Sequence, residues 1–348
     1  MRAFAACVLA LALASLAGLA GRAQTPAPPS AEITNGSISA TVYLPDARSG
    51  FYRGTRFDWS GVVGRLTYAG HTFYGPWFTK TDPAVRDFNY EGTDIVAGPQ
   101  SAITGPVEEF STDGQGLGYA DAPAGGTFVK IGVGVLRKPA DGAAYNMFRS
   151  YDVVDGGTWT VTPAHDSVTF TQEIIDAGSG YGYRYRKILH LTPGQPELVI
   201  EHQLTNRGRK PIVSTVYDHN FLVLDGRAPG PDFTIGAPFP LRTARPLDPA
   251  AASIDGSVFR YARTIADRDR VSAALEGFGS TAADYHFTIE NTQAGVGMRI
   301  IGDRPLASLS LWSIRSVLAL EPFIAMTIEP GQDFSWTYRY QYYALPAK

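Results

Sequence analysis

Cysteine is almost missing from this chain of 348 residues. The one cysteine, Cys7, lies in an apolar N-terminal run between Ala5 and Ala20. We interpret residues 1–23 as a secretory signal peptide, because a short basic start precedes an apolar run too short to span a membrane. Residues 24–30, rich in Pro and Ala, are expected to form a flexible lead-in. The prediction is a periplasmic or secreted protein that has no membrane segment after cleavage.

Removal of Cys7 with the signal peptide would leave a mature chain without a thiol. That excludes disulfides, a thiolate nucleophile and cysteine-ligated metal. Charge is also sparse: charged residues make up 18% of the chain and the net charge is −3. Because no basic stripe is present, nucleic acid is not an expected partner. Histidine pairs at zinc-ligand spacing are lacking as well, so no metal site is predicted.

Aromatic residues are abundant, with 18 Tyr, 18 Phe and 5 Trp. Such a content fits a strand-rich core, and it also fits a cleft that stacks on sugar rings. Helical periodicity is nearly absent, although Ala266–Leu275 is a candidate short helix. The long Pro- and Gly-rich stretch at 226–249 is expected to border a functional cleft.

Alternating apolar and polar residues predict strands through most of the chain. A meander of three strands is predicted over 181–192, 198–204 and 212–217, and an aromatic ladder over 334–342. Further strands are predicted over 37–43, 56–68, 127–137, 167–175, 285–290, 297–301 and 307–314. Residues 31–348 are therefore expected to form a single all-β domain, a large antiparallel double-layered sandwich.

Two short segments carry residues suited to proton transfer. His219 ends the predicted meander in Tyr217-Asp218-His219-Asn220-Phe221, and histidine titrates near neutrality. Glu321 follows four apolar residues and precedes Pro322. A carboxylate there is costly unless it is paired or functional. Structural roles are the alternatives: a histidine hydrogen-bonded inside the sandwich, and a salt bridge between Glu321 and Arg315.

The His219 segment resembles the histidine strand motif of the galactose mutarotase-like (aldose 1-epimerase) proteins. Leu320-Glu321-Pro322, followed by Ile328-Glu329-Pro330-Gly331 and an aromatic strand, is similar to their C-terminal glutamate motif. The resemblance spans roughly residues 125–345. It implies a β-supersandwich and anomer interconversion of a sugar. Glu321 would take the anomeric hydroxyl proton and His219 would protonate the ring oxygen, with no metal or organic cofactor.

The family's His-Gly-Gly motif is absent, and His71 is the candidate for its histidine. Arg56 and Lys130 are candidate substrate-binding cations, and an exposed charge at a strand end is the alternative for each. Tyr217, Asp218 and Asn220 are expected to bind substrate beside His219, and Asp218 stands where the family commonly has Asn. The expected ligand is a mono- or oligosaccharide.

Two other functions stay open from the sequence. One is a polysaccharide lyase, in which Tyr217 or another Tyr near His219 removes a proton from a uronate whose carboxylate is neutralised by Arg56 or Lys130. The other is a carbohydrate-binding protein without catalysis. Fold alone does not separate these functions from an epimerase.

Overall fold

A computed structural model describes residues 27–346 of the chain. The predicted signal peptide and the start of the lead-in lie outside the described residues. The first half of the described chain contains strands β1 (Ser30–Thr34), β2 (Ile38–Tyr43), β3 (Val62–Tyr68), β4 (His71–Thr72), β5 (Lys80–Thr81), β6 (Phe88–Glu91), β7 (Asp94–Ala97), β8 (Glu108–Ser111), β9 (Thr127–Lys130), β10 (Gly134–Arg137), β11 (Val153–Asp155), β12 (Thr158–Pro163) and β13 (Ser167–Ile175).

The second half contains β14 (Gly182–Leu191), β15 (Glu197–Asn206), β16 (Ile212–Asp218), β17 (Phe233–Gly236), β18 (Arg242–Thr243), β19 (Ala252–Asp255), β20 (Val258–Tyr261), β21 (Arg270–Glu276), β22 (His286–Asn291), β23 (Val296–Gly302), β24 (Ser308–Ile314), β25 (Val317–Ile328) and β26 (Asp333–Ala344). Helical structure in residues 27–346 is limited to two 3-10 helices, Leu224–Gly226 and Ala282–Asp284. No helix in this part of the chain is long and apolar enough to cross a membrane.

Two large sheets dominate the molecule. One has ten strands in the order β12-β13-β14-β15-β26-β23-β22-β17-β20-β19, and the other has six in the order β18-β21-β24-β25-β16-β8. Every strand pair in both sheets is antiparallel. Three small sheets, β1–β4, β9–β11 and β5–β7, come from the N-terminal half. The predicted all-β antiparallel sandwich is confirmed.

Aromatic side chains fill the space between the two large sheets. On β26, Trp336, Tyr338, Tyr340 and Tyr342 alternate along one face and are buried. Phe110 of β8 packs edge-on against Trp336 at a ring-centroid distance of 6.0 Å, and the Tyr340 hydroxyl is in hydrogen-bond contact with the carboxyl group of Asp218 on β16. The predicted aromatic ladder therefore forms the contact between the sheets, where its large apolar area is removed from water.

Ionic side chains are also buried between the sheets. The Lys187 ammonium contacts Glu108, and its Nζ lies 3.4 Å from Asp58 Oδ2. The other carboxylate oxygen of Glu108, Oε1, lies 2.6 Å from Nε2 of His202. The His202 ring in turn stacks on Trp336. These charged side chains are almost fully buried. The two carboxylates of this interior network therefore share the Lys187 ammonium, and Glu108 also has the His202 ring as a partner.

The predicted strand positions are mostly right, with three corrections. The candidate helix at 266–275 is wrong, since β21 occupies Arg270–Glu276. Val271 and Leu275 alternate with exposed neighbours there, and β24 pairs with the strand. The predicted strand 127–137 is a hairpin of β9 and β10 that turns at 131–133. The predicted strand 56–68 is regular only over β3, because residues 56–61 form bends and a turn.

Candidate functional site

Strands β16 and β25 bring the two predicted catalytic residues together. Tyr217 pairs with Phe323 in the antiparallel register, and their rings stack at 4.1 Å. His219 lies two residues after Tyr217, and Glu321 lies two residues before Phe323. Because side chains two residues apart point the same way, His219 and Glu321 face each other on one side of the sheet. His219 Nε2 lies 3.1 Å from Glu321 Oε1. Sheet register alone thus brings together side chains that are far apart in sequence.

Aromatic rings hold the imidazole of His219 in one orientation. The ring stacks on Phe221 with a centroid distance of 3.7 Å, and Phe57 and Trp312 approach it edge-on at 5.7 and 5.9 Å. Its backbone N–H donates to the carbonyl oxygen of Val107. The Nδ1 atom has no hydrogen-bond partner in residues 27–346. Packing therefore holds the ring with Nε2 within 3.1 Å of Glu321 Oε1.

Burial changes the protonation of both residues. Burial raises the pKa of Glu321 to about 7; nearby Arg56 opposes the rise, and Glu109 adds to it. Burial also lowers the pKa of His219 well below its usual value, and Arg56 lowers it further. Both shifts favour the neutral form of the side chain, as desolvation does. Near neutral pH the imidazole is therefore unprotonated and Glu321 is partly protonated.

A second ionic cluster lies beside this pair. Arg56 Nε donates to Glu109 Oε2 at 2.7 Å, and the Tyr217 hydroxyl donates to the same oxygen at 2.7 Å. Lys130 lies below them, with its Nζ 3.5 Å from Glu109 Oε1 and 2.5 Å from the Phe110 carbonyl oxygen. Glu109 thus holds Arg56 at the edge of the site, next to His219 and Glu321.

The pair opens into a cavity of about 910 Å³. Its floor is the face of the six-stranded sheet that points away from the ten-stranded sheet. Segment 244–248, between β18 and β19, forms one wall, as expected for part of the Pro- and Gly-rich stretch. The remaining wall comes from the N-terminal half and includes Arg56, Trp77, Asp87 and Phe148. A cavity of this size is large enough for a small organic ligand.

Two of the predicted substrate-binding residues lie on the other face of the sheet. Asp218 and Asn220 alternate with His219, so they point into the space between the sheets. The Tyr340 hydroxyl contacts both side chains, and Asn220 Nδ2 donates to the Leu320 carbonyl oxygen at 2.8 Å. Neither residue lines the cavity. Their position indicates a structural role in joining β16, β25 and β26.

Of the other predicted binding residues, only Arg56 lines the cavity. His71 does not line the cavity; its Nδ1 lies 2.7 Å from Asp225 Oδ2, at the 3-10 helix that follows β16. Lys130 is buried beneath Glu109 and reaches no open space. Tyr217 is buried with its hydroxyl on Glu109. Arg56 alone among these cations lines the cavity.

The salt bridge between Glu321 and Arg315, which was the structural alternative for Glu321, is not formed within residues 27–346. Arg315 donates instead to the Thr93 and Asp267 carbonyl oxygens.

Several residues at the site were not predicted from the sequence. Glu109 anchors Arg56, and Trp312 covers one side of His219. Glu108 and Glu109, which lie between Val107 and Phe110, could have pointed to buried cations in the sequence. Acidic residues in an apolar strand need buried partners. Arg270 and Asp87, which also line the cavity, carry no local signal of this kind. In residues 27–346 no three His, Cys, Asp or Glu side chains are grouped to hold a metal ion.

Comparisons with known proteins find similarity in structure and not in sequence. No protein-family model and no curated protein matches the chain. The GalM/aldose epimerase homologue from C. elegans matches with a TM-score of 0.54 and 12% identity, over 92% of this chain and 100% of that one.

Two bacterial structures match in the same way. A putative aldose 1-epimerase from Escherichia coli K12 has a TM-score of 0.51 and 13% identity, over 91% of this chain and 99% of that one. The galactose mutarotase related enzyme from Lactobacillus acidophilus has a TM-score of 0.50 and 12% identity, with coverage of 92% and 99%. At such identities the likeness concerns the fold, and the chain has the galactose mutarotase-like fold that the His219 and Glu321 motifs predicted.

Proposed function

We propose that this protein is an aldose 1-epimerase-like enzyme that interconverts the anomers of a sugar. The observation that carries the proposal is the His219 Nε2 to Glu321 Oε1 distance of 3.1 Å at the floor of a cavity. Mutarotation removes a proton from the anomeric hydroxyl and adds one to the ring oxygen. Because both oxygens are bonded to the same carbon, the acid and the base must lie close together.

The raised pKa of Glu321 supports proton transfer near neutral pH. Glu321 at about 7 and an unprotonated His219 leave one transferable proton on the pair below that pH. Protonated Glu321 can then give its proton to the ring oxygen while the neutral His219 imidazole takes the proton of the anomeric hydroxyl, which reverses the roles that the resemblance implied. Ring closure on the opposite face of C1 reverses both transfers and restores the pair. A catalytic pKa close to the working pH is favourable for such general acid–base catalysis.

The cavity is suited to a sugar for a further reason. Trp312 and Phe148 offer aromatic surface, and Arg56 offers a guanidinium held in place by Glu109. Sugar rings pack their C–H faces on aromatic rings while polar groups bind the hydroxyls. The apparent export signal in residues 1–23 leads us to propose that the sugar is met outside the cytoplasm.

The lyase alternative is less well supported. Tyr217 would have to lose its proton, but burial, followed by the charge of Glu109, raises its pKa well above the usual value. Lys130 is buried on Glu109 and is not placed to neutralise a substrate carboxylate. A binding protein without catalysis would keep the cavity but would not need a raised pKa at Glu321.

Anomer exchange in Glu321→Gln tests the proposal. The amide keeps the shape of the carboxyl group but can neither give nor take a proton in the reaction, so exchange measured by NMR on a panel of aldoses should fall about 10²–10⁴-fold. Binding measured by saturation-transfer NMR should persist. The matched control is Glu329→Gln, an exposed carboxylate outside the cavity, which should exchange sugars like wild type.

Wild-type protein that binds aldoses without accelerating their exchange would support the binding protein and end the epimerase proposal. Full exchange activity in Glu321→Gln would also end it. Release of unsaturated products from oligouronates, seen by ultraviolet absorbance, would favour the lyase.

A further inference from the structure

A second cavity adjoins the first. It measures about 430 Å³ and lies between segment 83–86 and segment 144–150. Phe148 lines both cavities, so the two lie on either side of that residue. Together they exceed the space that one sugar ring fills.

The second cavity is cationic although the protein has a net charge of −3. Arg86 and Arg149 line it, and no carboxylate does. Both side chains are exposed, and neither forms a salt bridge within residues 27–346. Two arginines without acidic partners in one concave site make it suitable for an anion, since guanidinium groups bind carboxylate and sulfate oxygens in pairs.

Buried hydrogen bonds connect this cavity firmly to the first. The Gln100 side chain accepts a bond from the Thr55 backbone N–H at 2.6 Å and donates to Ser150 Oγ at 2.9 Å. Thr55 Oγ1 donates to the Arg149 carbonyl oxygen at 3.4 Å. The backbone beside Arg56 and the backbone of Arg149 are therefore cross-linked, so the chain positions that carry these two arginines keep a fixed spacing.

The opposite wall is equally constrained. A Cβ atom on Gly98 would lie only 1.9 Å from the carbonyl oxygen of Val85, so only glycine lets the two segments approach this closely. The Gly98 N–H donates to the Asp87 carbonyl oxygen at 2.7 Å. Segment 83–86 is thus held against the rest of the wall, and Arg86 projects from a defined backbone.

We propose that the two cavities bind a reducing oligosaccharide with an acidic sugar residue. The reducing-end ring lies over His219 and Glu321, and the next residue lies beyond Phe148 with its carboxylate or sulfate between Arg86 and Arg149. This inference names the substrate class of the proposed epimerase site and rests on that function for its catalytic half. Its binding half rests on the second cavity alone.

Anomer exchange of matched disaccharides tests the inference. We compare a neutral disaccharide, the same disaccharide with a uronate at the non-reducing residue, and a version sulfated there. The wild type should have a kcat/KM for at least one acidic form about tenfold above the neutral one, because two exposed ion pairs contribute roughly that factor. The preferred arm identifies carboxylate or sulfate as the anion, and the preference should decline with added salt.

The variant Arg86→Gln/Arg149→Gln should abolish this preference. The matched control is Arg184→Gln/Arg260→Gln, which removes two exposed arginines of the ten-stranded sheet that line neither cavity and should keep the wild-type ratio. Circular dichroism and urea unfolding establish that both double variants fold. Equal kcat/KM for acidic and neutral disaccharides in the wild type, or an unchanged preference in Arg86→Gln/Arg149→Gln, would overturn the inference.

Saturation-transfer NMR separates this inference from the proposed function. If no aldose exchanges faster but acidic disaccharides bind the wild type and not Arg86→Gln/Arg149→Gln, the epimerase proposal fails and the anionic binding site stands. If neutral aldoses exchange faster and acidic disaccharides gain nothing, the epimerase stands and the substrate class is wrong.

Discussion

Individual protonation states in the His219–Glu321 pair should set the pH range of activity. The pair holds one transferable proton below the Glu321 pKa of about 7 and loses it above. Burial lowers the pKa of His219, so the pair gains a second proton only at a pH well below the usual titration range of histidine. In that doubly protonated form the pair has no base. We therefore expect kcat/KM, which reports the free enzyme, to decline as pH rises through about 7.

That decline is measured by NMR exchange from pH 5 to pH 9, after subtraction of the uncatalysed rate. His219→Asn should lose exchange across the whole range, because no partner for Glu321 remains. A wild-type kcat/KM that is constant between pH 6 and pH 8.5 would show that Glu321 is not the titrating group.

The same carboxyl should also lower the stability of the fold. Its pKa is about 7 in the native state against a usual value of 4.5, so the native state holds the proton more tightly than the unfolded chain. Stability is therefore lost as pH rises from 4.5 to 7 and stays low above. Glu321→Gln should gain about 3 kcal/mol of unfolding free energy at pH 8 and roughly 1.5 kcal/mol at pH 5.5. Urea unfolding at both pH values, with Glu329→Gln as the control, measures the difference; equal gains at both would refute the shift.

At the scale of strands, the register of β16 and β25 fixes the distance between the two reactive atoms. Asn220 stabilises this register, since its Nδ2 donates to the Leu320 carbonyl oxygen and its Oδ1 accepts from Tyr340. Asn220→Ala should leave the buried Leu320 carbonyl oxygen without this donor, which costs about 1–3 kcal/mol, while Tyr340 keeps only its contact with Asp218. We expect reduced stability together with a lower kcat, measured by urea unfolding and exchange NMR.

The matched control for that variant is Asn89→Ala on β6, an exposed residue that bonds only its own neighbour. It should change neither quantity. Wild-type stability and kcat in Asn220→Ala would show that the strand pairing needs no side-chain support.

Strand alternation explains which site residues the sequence could predict. His219 and Glu321 were predicted because each is a polar residue next to an apolar stretch. Each also matches a motif of the galactose mutarotase-like proteins. Asp218 and Asn220 were misplaced because residues next to His219 must face the other side of the sheet. The same rule, applied to β16, would have placed them in the core. Arg86, Arg149 and Arg270 come from loops and strands far apart in sequence, and only the three-dimensional fold brings them near the cavity.

At the scale of the whole molecule, the buried charges of Lys187, Glu108 and Asp58 connect the two sheets. The Glu108 and Asp58 charges, acting against burial, raise the pKa of Lys187, so its ammonium is retained between them. Lys187→Met would leave these carboxylates without their cation, and removing one partner of a buried pair costs about 3–5 kcal/mol. We expect a lower urea midpoint than for Lys80→Met, which removes an exposed partner of Asp94. Equal midpoints for the two variants would mean that the network adds nothing.

The location of the reactive pair also has an evolutionary consequence. Glu321 belongs to β25 inside a six-stranded sheet and His219 directly follows β16, whereas much of the cavity wall comes from loops in distant parts of the chain. Insertions, deletions and substitutions in those loops can therefore change which sugar is accepted without moving the pair. Diversification within such a scaffold should accumulate in segments 83–101, 144–150 and 244–248. Chimeras that exchange only these segments should inherit the substrate range of the protein that donates the segments. They should keep the pH dependence of the protein that donates the six-stranded sheet.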